Sequence, residues 1–190
     1  MNKAIILAGG QGKRMKADMP KPLLRVLGEP MLEWVISACE ESGVSDICVI
    51  KGFRGEMIDE YLGGRCETAL QAERLGTGHA VMQGIPFLEK DTSGNTLILN
   101  GDAPFIDAAT IGESLKMHTE QGNSVTVITA ELENPHGYGR VIRTESGISG
   151  IVEQKDATEE QKNIREVNSG AYWFRTADLI ELLGKLDCNN

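Results

Sequence analysis

Two apolar periods alternate along the first 130 positions of the chain. Lys3 to Ala8 is an apolar run of strand length after its first residue, the pattern of a strand buried on both faces. Met31 to Glu41 sets Leu32, Val35, Ile36 and Cys39 at helical spacing, with Pro30 at its start and Gly43 beyond its end. Ile47 to Ile50 reads as a second strand, and Glu56 to Leu62 as a short helix stopped by Gly63 and Gly64. Glu67 to Leu70 is a weaker strand, and His79 to Leu88 a helix broken near Pro86. Thr96 to Leu99 is a short strand, Ala108 to Glu120 an amphipathic helix, and Ser124 to Ala130 a β-branched strand. The order βαβαβαβαβ predicts an α/β fold: a Rossmann-like, mostly parallel sheet with helices on both faces.

The pattern then changes. Arg140 to Arg143, Ile148 to Glu153 and Ala171 to Phe174 are short strands joined by glycine or charged turns, which predicts a small antiparallel addition. Asp156 to Lys162 is a polar helical segment, and Ala177 to Leu186 a terminal helix. No repeat or low-complexity linker marks a boundary, so one domain is expected over residues 1–190. The chain stops just after its last helix, and the domain is expected to be truncated at its C-terminus.

Composition narrows the function classes. A hydrophobic content of 41% and a charged content of 25% are ordinary for a soluble globular chain. No apolar run is long enough to cross a bilayer, and the N-terminus lacks a signal-peptide pattern, so a cytoplasmic location is expected. Cys39, Cys48, Cys66 and Cys188 are scattered without a C-x-x-C pair, which favours free thiols over disulfides or zinc. The net charge of −9 argues against nucleic acid and anionic membrane as partners. Lys13, Arg14, Lys16, Lys21 and Arg25 nevertheless cluster in a stretch whose one acid is Asp18. That local charge suits a compact anion such as a triphosphate. An oligomer is only weakly indicated.

The first strand empties into Gly9, Gly10 and Gly12, followed by those cations. Glycines let backbone N–H groups approach an anion closely, and cations neutralise it. The spacing is not a Walker A loop, because Arg14 follows Gly12-Lys13 and Leu7 stands where the first glycine belongs. It is not a dinucleotide fingerprint either, because Met15 occupies the third glycine position. Pro20 and Pro22 fix the backbone around Lys21 and aim it.

Asp102 follows the apolar run Leu97-Ile98-Leu99, where a carboxylate can hold Mg²⁺ or, alternatively, cap the next helix. Gln71 to His79 is a second polar loop after a strand. There Gln71 could read a base edge and Gly76-Thr77 could pass close to a planar ring, with Thr77 also a candidate helix cap. Pro135 to Arg140 is a glycine-rich turn suited to lie over a sugar, and Glu153 and Asn168 fall near strand ends, where they could bind hydroxyls or serve as ordinary turn residues. The three histidines form no metal pattern, and no nucleophile with its base is apparent.

Leu7-Ala8-Gly9-Gly10-Gln11-Gly12-Lys13-Arg14-Met15 with Pro20-Lys21-Pro22 resembles the signature loop of the sugar-1-phosphate nucleotidyltransferases. Gln71-Ala72-Glu73, Leu75 to Ala80, Asn100 to Pro104, Gly137 to Arg140, Gly150 to Ala157 and Val167 to Gly170 narrow the likeness. Together they resemble the uridylyltransferase branch, the N-terminal domain of the bacterial bifunctional N-acetylglucosamine-1-phosphate uridyltransferases/glucosamine-1-phosphate acetyltransferases. That resemblance implies Mg²⁺-dependent transfer of UMP from UTP to N-acetylglucosamine 1-phosphate, a cytoplasmic step of cell-wall peptidoglycan biogenesis. It implies that Leu7, Ala8, Gly9, Gly10, Gln71, Gly76 and Thr77 hold the nucleotide, and that Arg14 and Lys21 stabilise the triphosphate. It further implies that Asp102 binds Mg²⁺ and that Gly139, Glu153 and Asn168 contact the amino sugar. The family pattern continues past Asn190, so these residues include no acetyltransferase β-helix. Related members often carry Leu-Ala-Ala-Gly where this chain has Leu-Ala-Gly-Gly. Another nucleotide or sugar, or a nucleotide-binding fragment without turnover, stays open as an alternative.

Overall fold

The computed structural model describes residues 1–10, 12, 18–145 and 147–186. These divide into two compact units, residues 1–126 with 173–190, and residues 127–172. The crossings fall inside strands, so no linker composition announces them.

The first unit is built on a parallel sheet in the order β5 (Glu67–Leu70), β4 (Asp46–Lys51), β1 (Lys3–Ala8), β6 (Asn95–Asn100). β1 lies between two partners, and Ala4, Ile5, Ile6 and Ala8 are fully buried, as its apolar run requires. Lys3 is buried too. Its ammonium reaches the carbonyls of Phe87 (3.1 Å) and Leu88 (3.4 Å) and lies 5.0 Å from the Phe87 ring centre. Cations are favourable at a helix C-terminus, which offers unpaired carbonyls.

Helix α1 (Met31–Glu41) buries Leu32, Val35, Ile36 and Cys39 and packs against α5 (Ala108–Glu120). α2 (Gly55–Leu62) ends where Gly63 takes a left-handed φ of 56°. α3 (Thr77–Met82) and α4 (Ile85–Leu88) pack against α7 (Thr176–Leu183). The break expected near Pro86 in the helix over 79–88 is present, and two helices stand there. The break falls at Gln83-Gly84, and Pro86 lies in the first turn of α4, where its missing N–H costs nothing.

A feature absent from the sequence reading is a small hairpin, β2 (Arg25–Val26) with β3 (Glu29–Pro30). Its two turn residues, Leu27 (φ 53°) and Gly28 (φ 95°), are both left-handed.

The second unit carries the antiparallel addition. β8 (Arg140–Thr144) pairs with β9 (Gly147–Val152), and Val167 of β10 (Glu166–Arg175) faces Arg140. β7 (Val125–Glu131) runs alongside β10. α6 (Glu159–Lys162) opens on a capping box between Thr158 and Gln161. β10 is longer than the expected strand over 171–174, and its last residues rejoin the first unit. There Thr176 N donates to Gly94 O (3.0 Å), and the buried hydroxyls of Thr96 and Thr176 pair at 2.9 Å.

Candidate active site

From β1 the chain moves to β4 and β5 on one side, then returns to β6 on the other. Ligands of such sheets sit beyond the strand C-termini at this reversal. The loops after β1, β4, β5 and β6 converge there. Gly101 N donates to Leu7 O (2.9 Å), Phe53 N to Gly9 O (3.4 Å), and Gln71 N to Lys51 O (2.8 Å). A Cβ on Gly52 would lie 2.9 Å from both Cα and O of Gly9, so only glycine lets these loops touch.

The cleft has a volume of about 340 Å³. Leu7, Gly9, Gly10, Lys21, Gln71, Gly76, Thr77 and Asp102 line it, as do Pro22, Arg74, Ala80 and Asn100. Eight residues singled out from sequence in five separated segments thus share one wall. Ala8 does not line it and is fully buried in β1 beside Lys51. Arg14 lies outside the described residues.

Lys21 opens a single 3-10 turn, Lys21–Leu23, entered through Pro20 and carrying Pro22. Its Nζ donates to Asp102 Oδ2 at 2.6 Å, both side chains about one-third exposed. Asp102 does not cap α5. Asp107 does, its carboxylate accepting from Thr110 N at 2.8 Å, which leaves the Asp102 carboxylate in the cleft.

Gln71 is buried, with its Nε2 3.1 Å from Gly76 O and 3.2 Å from His79 Nδ1. Its Oε1 would lie 3.2 Å from a Cβ on Gly9, so a glycine there gives the amide room. The N-cap of α3 is Gly76, at φ 103°, rather than Thr77, which is the first helical residue.

Gly139, Glu153 and Asn168 come together in the second unit. Asn168 N donates to Gly139 O at 2.9 Å, and Glu153 Oε1 lies 3.2 Å from where a Gly139 Cβ would stand. The Asn168 amide bonds the Tyr172 hydroxyl (2.6 Å) and accepts from Gly170 N (3.1 Å).

Sequence reasoning missed Arg74 as a wall residue. Its guanidinium lies 5.8 Å from the Phe53 ring centre, and its one signal was its position inside the Gln71–His79 loop. No group of three His, Cys, Asp or Glu side chains among the described residues could hold a metal by itself. A lone carboxylate facing a cleft still fits Mg²⁺, which commonly takes one or two protein carboxylates and completes its shell with water and phosphate oxygens.

Residues 3–188 match the nucleotidyl transferase family model. The chain belongs to the nucleotidyl transferase family. It is 44% identical over 188 residues to the bifunctional protein GlmU of Acetivibrio thermocellus, covering 98% of this chain and 41% of that protein. With GlmU of Thermoanaerobacter pseudethanolicus the identity is 46% over 187 residues, covering 98% and 40%. The chain thus spans about two-fifths of the length of these relatives. A solved Bacillus anthracis chain assigned as a glucose-1-phosphate thymidylyltransferase superposes with a TM-score of 0.82 at 22% identity, covering 98% of this chain and 79% of that one, a likeness of fold. The mostly parallel mixed sheet is therefore a nucleotidyltransferase fold, and the sequence resemblance holds at family level.

Proposed function

We propose that the chain performs the uridylyltransferase reaction, moving UMP from UTP to N-acetylglucosamine 1-phosphate with release of pyrophosphate. The observation that carries this reading is the Lys21–Asp102 pair at 2.6 Å, set at the sheet reversal beside the Gly9-Gly10 backbone and the buried Gln71 amide. The GlmU relatives point the acceptor toward an amino-sugar phosphate.

A sugar-phosphate oxygen attacks the α-phosphorus of UTP. A new P–O bond forms as the α–β bond breaks, and the electron pair leaves with pyrophosphate. The attacking oxygen is already anionic, so no protein nucleophile or base is required. Lys21 turns from Asp102 to the triphosphate and stabilises the charge that develops on its oxygens. Arg14 adds a second cation. The Leu7 to Gly10 backbone, Gln71, Gly76 and Thr77 hold the uridine. Gly139, Glu153 and Asn168 bind the amino sugar. Asp102 would hold Mg²⁺, which when bound neutralises phosphate charge. The product, UDP-N-acetylglucosamine, would feed cell-wall peptidoglycan synthesis in the cytoplasm. No described helix is long and apolar enough to cross a membrane.

Pyrophosphate release measured across a panel of nucleoside triphosphates and sugar 1-phosphates tests the reading. The expected preference is UTP with N-acetylglucosamine 1-phosphate. A higher kcat/KM for another pair, such as dTTP with glucose 1-phosphate, overturns the substrate assignment. UTP that raises Tm with no release from any pair reduces the chain to a binding unit.

A further inference from the structure

Arg140 stands out in the second unit. It is 1% exposed and forms no ion pair among the described residues. A buried charge without an opposite charge is costly and must find hydrogen bonds instead. Its guanidinium has three neutral acceptors: Tyr138 O, Gln154 Oε1 (2.8 Å) and Lys162 O at the end of α6 (3.4 Å). Its Nε has no partner among the described residues. The same Gln154 oxygen accepts from Gly137 N at 3.0 Å.

These bonds close a ring around the three residues assigned to the sugar. Gly139 lies between Tyr138 and Arg140, and Glu153 directly precedes Gln154. Asn168 bonds back to Gly139 O and directly follows Val167, which faces Arg140 across the ladder. A planar fork with donors in fixed directions can hold a turn, a strand end and a helix end at once.

We infer that Arg140 is a positioning residue for the sugar-phosphate acceptor: it fixes Gly139, Glu153 and Asn168 from beneath, without touching the ligand. This rests on the proposed acceptor site and deepens it. The buried charge is retained because it sets the geometry of that site, and misplacing binding groups by about an ångström can cost on the order of a hundredfold in rate.

The test is isothermal titration of the 190-residue chain with N-acetylglucosamine 1-phosphate and, separately, with UTP. Arg140→Met and Arg140→Lys should each weaken sugar-phosphate binding on the order of tenfold or more and leave UTP affinity within about twofold. Lysine should not rescue, because it keeps the charge and loses the fork. Should both variants fail to fold, Gln154 decides the matter. Gln154→Ala removes the shared acceptor and should weaken the sugar phosphate alone. Gln154→Glu retains an oxygen for both donors and should bind as wild type does. Wild-type-like sugar-phosphate binding by Arg140→Met or Gln154→Ala overturns the positioning role and leaves the acceptor site standing. Equal losses for both ligands show a merely structural arginine and also overturn it. A wild-type chain that binds UTP but not the sugar phosphate overturns the acceptor reading, and this inference with it.

Discussion

Lys21 and Asp102 neutralise each other across the cleft at 2.6 Å, with about a third of each side chain exposed. A pair that open to solvent contributes at most about 1 kcal/mol to stability, while a cation aimed at developing phosphate charge is worth on the order of 3 kcal/mol in a transition state. Lys21→Ala should therefore lower kcat/KM for pyrophosphate release on the order of a hundredfold while thermal unfolding moves little. A wild-type kcat/KM would remove Lys21 from the chemistry. The glycines separate in the same way. Gly52→Ala drives a Cβ to 2.9 Å from the Gly9 backbone and should destabilise by about 1–3 kcal/mol in urea unfolding. Gly10→Ala meets nothing within 4 Å among the described residues and should leave unfolding unchanged.

Among the elements, the hairpin of β2 and β3 carries an exposed Leu27 at φ 53°. Left-handed backbone costs a Cβ-bearing residue about 1–2 kcal/mol, and Asn bears it better. Leu27→Asn should stabilise the chain by about 0.5–1 kcal/mol, measured by the denaturation midpoint at unchanged m-value. That hairpin was illegible in the sequence because each strand is two residues long and one contains proline. β1, β4, β6, α1 and α5 were legible nearly to their ends, because burial imposes a clear period and glycines or prolines close it. The helix expected over 79–88 does break near Pro86, at Gln83-Gly84. Pro86 was read as a breaker, yet it sits in a first turn that tolerates it. The cleft was legible where a glycine, an amide or a charge follows an expected strand, at Gly9, Gln71 and Asp102. Arg140 was visible only as a letter in a turn motif. Its burial and its bonds to Gln154 and Lys162 are long-range facts that no local pattern encodes.

Across the whole molecule, His118 ties stability to pH. It is buried on α5, stacked on Trp173 at 6.4 Å between ring centres, with its Nδ1 2.9 Å from Thr126 Oγ1. Its Nε2 has no partner among the described residues. Burial pushes its pKa below the usual histidine value, and the nearby Arg175 charge pushes the same way. The fold thus holds His118 neutral, and the unfolded chain takes up the proton first. The stability it contributes is present above the unfolded pKa of about 6.5 and is lost as pH falls toward the lower folded value. Tm should decline from pH 7 to pH 5, and the decline should be shallower in His118→Gln. Equal slopes would show that other groups set it.

The same neighbourhood has a consequence for engineering. The chain leaves the first unit after Thr126 and re-enters it at Trp173, and just outside those points Arg175 N donates to Ser124 O at 3.0 Å. Exit and re-entry are thus neighbouring positions on paired strands, so a two-residue turn could join them and close the first unit on itself. Residues 127–172 are then an insertion that can be excised or exchanged as a block, and the first unit should still unfold cooperatively once a two-residue turn replaces them.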